Sequence, residues 1–143
     1  MEQLITAVGV VALGALGWIS LEFIGRPIRS FLDLRREIRR QVIFLENLGP
    51  LHPLDEENSN ALAKAALTLR DLGAQAIAFD QTEWLAARVV RWSGIQPMQG
   101  GRGLIGLANT LENETEAENY RTVVEHALRF DRMGEYDWKH APE

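Results

Sequence analysis

Apolar residues follow three regimes along this chain. From Leu4 to Ile24 (LITAVGVVALGALGWISLEFI) they run almost unbroken for 21 residues, with Glu22 the single charge. From Ile28 to Leu48 they recur at three- and four-residue spacing, as Phe31, Leu34, Ile38, Val42, Leu45 and Leu48. Beyond that, shorter stripes of the same period are separated by Gly, Pro and acidic clusters. A 3.6-residue period marks one apolar face of a helix, so the pattern predicts an all-α chain.

The first regime predicts a single N-terminal transmembrane helix. At ~1.5 Å rise per residue, 21 residues span roughly 30 Å, the thickness of a bilayer's hydrocarbon core. A cleaved signal peptide fits less well, because no Lys or Arg precedes the run and the run is too long. A buried core helix is the remaining alternative, yet Leu4–Ser20 is apolar all round apart from Thr6.

The second regime predicts a basic amphipathic helix continuing from the span. Gly25-Arg26-Pro27 breaks the apolar run, and Pro27 suits the first turn of a new helix. Opposite the apolar seam lie Arg26, Arg29, Arg35, Arg36, Arg39 and Arg40. Positive charge is retained on the cytoplasmic side, which places the N-terminus outside and residues 26–143 in the cytoplasm. The six arginines are candidate contacts for anionic lipid headgroups, besides fixing topology.

The third regime predicts a small cytoplasmic bundle of about four helices over residues 49–130. Gly49-Pro50-Leu51-His52-Pro53 forms a linker. The next helix carries Leu62, Ala66, Leu69, Gly73 and Ala76 on a small-residue face and runs to about Phe79, with Asp80 and Glu83 as the following N-cap. Thr82–Ser93 places Leu85, Val89 and Trp92 on one face, and Gly94 stops it. Ile95–Gly103 reads as the main irregular loop, ahead of a helix with Leu104, Leu107, Ala108 and Leu111 on its apolar face. Thr115-x-x-Glu118 is a capping box for a last helix with Tyr120, Val123, Val124, Ala127 and Phe130 inward. Residues 131–143 form an irregular tail, with Tyr136 and Trp138 as its only anchors. The organisation is thus anchor (1–25), Arg-rich juxtamembrane helix (26–48), bundle (49–130) and tail.

Charge sharpens this layout. Residues 26–40 hold six Arg against two acids, a net +4, whereas residues 41–143 hold nine basic against sixteen acidic residues, a net −7. An acidic body argues against nucleic acid as a partner. The absence of cysteine fits the cytoplasm without proving it.

Several features carry candidate chemistry. Gly9, Gly14 and Gly17 thin the span without forming GxxxG, and they mark a face for a partner helix or for self-association. Glu22 lies four residues before Arg26 and reads as a paired interfacial group rather than an ion or proton site. Trp84, Arg88 and Trp92 are spaced four apart, which suits either a core stripe with a snorkelling Arg or a contact for a partner or headgroups. Gly101-Arg102-Gly103-Leu104-Ile105-Gly106 formally matches the dinucleotide fingerprint, but Gly94 and Pro97 interrupt the strand that motif needs. Arg102, at the start of the helix predicted there, is a candidate for an anionic partner. The alternating glutamates 112, 114, 116 and 118 read as a solvated helix start rather than a cation site, having no EF-hand spacing. His52, His126 and His140 form no zinc signature, and no serine lies in a nucleophile elbow. No catalytic residue, metal or cofactor is expected.

The chain resembles small uncharacterised bacterial single-pass membrane proteins in its N-terminal span, its RSFLDLRREIRR stretch, its LRDLGAQAIAF helix and its LIGLANTL segment. That resemblance implies a bacterial inner-membrane location and no activity. The expected role is a membrane-anchored, non-catalytic interaction module or accessory subunit. The rivals are a homo-oligomeric pore or membrane-disturbing effector and, further off, a phosphate-binding enzyme.

Overall fold

A computed structural model describes residue 9, residues 13–47 and residues 56–130. The described residues are all helical in their regular elements, with no strand. A helical arm, α1 (13–20), passes through a π-helical turn (Leu21–Gly25) into α2 (Arg26–Asn47). There follow α3 (Glu56–Thr82), α4 (Trp84–Trp92), α5 (Pro97–Asn109) and α6 (Glu114–Leu128). The predicted linker Gly49–Pro53, the tail with Tyr136 and Trp138, and His52 and His140 lie outside the described residues.

The expected break at Gly25-Arg26-Pro27 is a widening of the helix instead. Pro27 has no N–H to return to Phe23, and its ring crowds that carbonyl. The chain responds with i→i+5 bonding: the Arg26 N–H donates to the Leu21 carbonyl. One extra residue per turn moves the obstructing carbonyl aside while the helix continues. Pro27 still falls in the first turn of α2, as the sequence predicts.

The core forms where α2, α3, α5 and α6 meet. Phe31, Ile38 and Val42 of α2 face Leu69, Leu72, Ala76 and Phe79 of α3, and the Phe31 and Phe79 rings stack with centroids 4.4 Å apart. Leu104 and Leu107 of α5 and Val124 and Leu128 of α6 complete it. The small-residue face predicted on α3 is used as read. A Cβ on Gly73 would sit 2.8 Å from the Gly101 carbonyl, and one on Gly101 would sit 2.6 Å from the Gly73 carbonyl. Two backbones touch there, and only glycine on both sides allows it.

Three boundaries differ from the sequence reading. First, α5 begins at Pro97 and takes in residues 97–103 of the segment expected as a loop, leaving only Ile95 and Gln96 outside it. Pro97 occupies the first helical turn, where its missing N–H costs nothing. Second, α3 runs through Thr82, so Asp80 is no cap; its carboxylate accepts from Arg91 at 2.9 Å. Third, α6 is capped by Asn113, whose side chain accepts from the Glu116 N–H at 3.4 Å, two residues ahead of the Thr115 capping box.

The carboxyl end of α6 is where the bundle is tied together. Arg129 adopts a left-handed conformation (φ 55°), and the Phe130 N–H returns to the Glu125 carbonyl at 3.0 Å. The Gln96 N–H donates to the Ala127 carbonyl at 2.8 Å. Arg129 also reaches across to the Ser93 carbonyl at 2.7 Å, lying over Gly94, whose φ of +83° ends α4. Any Cβ at Gly94 would strike that guanidinium.

Candidate membrane and partner contacts

The arm carries the apolar surface that the bundle does not use. Leu13, Leu16, Trp18, Ile19, Leu21 and Phe23 are all exposed. A Cβ at Gly9, Gly14 or Gly17 would meet nothing within 4 Å, so within this chain those glycines accommodate no neighbour. Of the expected span Leu4–Ile24, residues 4–8 and 10–12 lie outside the described residues. Among the described residues, no helix is long and apolar enough to cross a membrane. Glu22 is hydrogen-bonded to Arg26 one turn on, so its charge is matched at the foot of the arm.

The six arginines of α2 do not act as one set. Arg35, expected among the headgroup contacts, is instead 7% exposed and turned into the bundle. Its Nε donates to the Leu128 carbonyl at 2.7 Å and its NH2 group to the Arg129 carbonyl at 2.8 Å. The guanidinium also lies 5.5 Å from the centre of the Phe130 ring. A planar, forked cation at a helix carboxyl terminus satisfies orphan carbonyls and complements the dipole together. Arg36 pairs with Asp33 at 2.6 Å and Arg40 with Glu37 at 2.7 Å, both at the surface. Among the described residues, Arg29 and Arg39 have no carboxylate partner. Position along the helix matters as well. Arg29 is within one turn of Arg26, whereas Arg39 and Arg40 stand ~20 Å further along the axis.

The groove between α2 and α3 has a volume of ≈ 410 Å³ and is lined by Phe31 and Phe79 together with Asp33 and Glu37. Both carboxylates are already engaged. The Gln41 amide donates to Glu37 at 2.8 Å and, with Arg40 beside it, holds that carboxyl below its ordinary range. Nothing in this groove is a spare acid or base.

Helix α4 decides between the two uses that its stripe allows. Leu85, Val89 and Trp92 do share one face, and it is the exposed one; Ala86, Ala87 and Val90 are buried. Trp84 is 63% and Trp92 77% exposed. Arg88 lies 5.8 Å over the Trp92 ring, so it stacks on one indole rather than between two. The five outward residues, at positions i, i+1, i+4, i+5 and i+8, share an arc of ~140° on the helix. The reason is steric: α4 packs onto its neighbours through side chains no larger than Val, which leaves every large apolar group on the far side. Leu85 and Val89 join the candidate contacts Trp84, Arg88 and Trp92 on this surface. The adjacent small pair Ala86-Ala87 is the sequence signal for which face turns inward.

The glycines of the phosphate-loop match are helical, with Gly101 and Gly103 buried and Gly106 half-buried. Gly100 faces Leu128, Gly101 faces Gly73 and Ile77, and Gly103 faces Val124, each at a distance a Cβ would violate. Gly106 lies under the Tyr120 ring. With Gly101 and Gly103 inside a helix and covered by neighbours, their N–H groups cannot cradle an anion. Arg102 is exposed in the second turn of α5 rather than at its start. The glutamates 112, 114, 116 and 118 are exposed around the start of α6. Among the described residues, no group of three or more His, Cys, Asp or Glu could hold a metal ion. His126 is exposed on α6, and Glu125 accepts from Arg121 at 3.0 Å.

No protein-family model matches this chain, and no curated protein or solved structure does.

Proposed function

We propose that this chain is a single-pass membrane protein whose helical bundle is a non-catalytic interaction module, serving as an accessory subunit of a larger membrane assembly. The arm enters the bilayer with the N-terminus outside, and the bundle stands in the cytoplasm of a bacterial cell. The observation that carries the reading is the arm itself. Six large apolar side chains project from it without cover, all upstream of Arg26, which pairs with Glu22. Exposed apolar surface on that scale marks a membrane or protein interface. The unbroken apolar sequence from Leu4 selects the membrane. Arg26 and Arg29 stand at the level of the headgroups, and Gly9, Gly14 and Gly17 leave room for a partner's helix.

Alkaline extraction of membranes expressing the full chain tests the anchor. The wild-type protein stays in the pellet, and Leu13→Lys with Leu16→Lys releases it, since each charge at mid-span costs about 3 kcal/mol. A wild-type chain that is monodisperse without detergent overturns the anchor. Native mass spectrometry in detergent tests the role: a hetero-complex supports the accessory subunit, and a closed homo-oligomer supports the pore or effector instead.

A further inference from the structure

We propose that the outer face of α4, comprising Trp84, Leu85, Arg88, Val89 and Trp92, is a second lipid contact that lies in the headgroup layer and lays the bundle against the same bilayer. The proposal rests on the anchor reading above and adds a docking surface to it.

Three observations meet at this face. Its large apolar residues point away from the core, while Ala86, Ala87 and Val90 point into it. Next, α4 packs beside the π-turn Leu21–Gly25. That turn is where the apolar run gives way to Arg26, so it fixes the depth of the membrane interface on this molecule. A helix in contact with it sits at headgroup level and not at the far end of the bundle. The residue types also match that depth. Indole rings have an apolar body and a polar N–H, and they partition to the boundary between hydrocarbon and headgroups. The nine residues WLAARVVRW include two Arg and no acid, in a region that is otherwise acidic. Arg91 is held by Asp80, which leaves Arg88, stacked on Trp92, as the cation offered outward.

A nine-residue helix is too short to hold a membrane by itself. Here the arm supplies the attachment, so the second contact forms at the high effective concentration set by a direct covalent connection. The consequence is orientation. The acidic surfaces of α3 and α6 are held in a fixed attitude to the bilayer instead of swinging about the π-turn.

Tryptophan quenching in vesicles tests this. The chain has four Trp, at 18, 84, 92 and 138, and three full-length variants each keep one of the first three with the others changed to Phe. Each is reconstituted into phosphatidylcholine–phosphatidylglycerol vesicles whose acyl chains are brominated either near the headgroup or near the terminal methyl. Circular dichroism confirms that each variant keeps wild-type helicity. The expected result is that Trp84 and Trp92 lose most of their emission to shallow bromine and little to deep bromine, with a blue shift relative to tryptophan in water. Adding Arg88→Glu weakens the shallow quenching. If Trp18 is quenched while Trp84 and Trp92 are untouched by either lipid, α4 faces water or a protein partner; the proposal falls and the anchor stands. If Trp18 is also unquenched, the anchor reading falls with it.

Discussion

Helices α4 and α5 both turn small residues toward the bundle, Ala86, Ala87 and Val90 in one and Gly100, Gly101 and Gly103 in the other. They differ in where the large residues go. In α5, Leu104 and Leu107 are buried with the glycines, so neighbours cover the helix on two sides. In α4, the small residues alone face inward, and Trp84, Leu85, Val89 and Trp92 stay outside. One helix is spent on stability. The other keeps an apolar face that contributes little to this chain's own fold, which is why that face is read as a contact with something else.

Substitutions that enlarge α5 test its half of the comparison most severely. Gly101→Val places a side chain against the Gly73 carbonyl and Ile77, where backbone cannot yield, and is expected to cost about 3 kcal/mol in chemical denaturation. Gly106→Ala supplies the internal control. The atoms nearest its methyl belong to the half-exposed Tyr120 ring, which can swing, so gained helix propensity of about 1 kcal/mol roughly offsets the contact. An equal loss in both variants breaks the argument that backbone approach at Gly73 and Gly101 governs the packing.

Arg35 gives the next largest effect, because it serves the same core from the arginine helix. Arg35→Met removes both donors from the Leu128 and Arg129 carbonyls and is expected to cost about 2–3 kcal/mol. Arg35→Lys restores only part of this, since a point cation cannot span two carbonyls as the guanidinium fork does. Arg39→Met, by contrast, should leave the midpoint unchanged. The smaller step is at the start of α6: Asn113→Ala costs about 1 kcal/mol, and Thr115→Ala costs little. Matching losses at both positions would show that the cap lies elsewhere.

The least effect on folding is expected at α4. Trp84→Ser with Trp92→Ser shifts stability in detergent by no more than about 0.5 kcal/mol, although the pair removes two of the largest side chains in the chain. A loss comparable to Gly101→Val would mean that α4 is core after all.

The periodicity of α2 was legible in the sequence, down to Phe31, Ile38 and Val42 as its buried line. So was the small-residue face of α3 through Gly73, and the stop at Gly94. These are local signals, written in spacing and in residues that the backbone geometry demands. The candidate contacts were legible as residue types but not as environments. Arg35 and Arg36 are neighbours in a basic run, yet one is buried under α6 and the other is paired at the surface. Nothing within that run distinguishes them, because the carbonyls that claim Arg35 lie more than 90 residues away.

The sequence by itself determined the helical character of the chain, the apolar run that precedes it and the residues on which each stripe is built. Only the tertiary structure decided that α5 begins at Pro97, ahead of the helix predicted from Leu104. Its four glycines at 100, 101, 103 and 106 oppose a helix by ~3–4 kcal/mol in isolation. Close approach of α3 and α6 recovers that loss, since contacts made at backbone distance are open to glycine alone. The facing of α4 was decided the same way. A stripe of Leu, Val and Trp announces an apolar face, but which side meets the bundle depends on how much room the neighbouring helices leave.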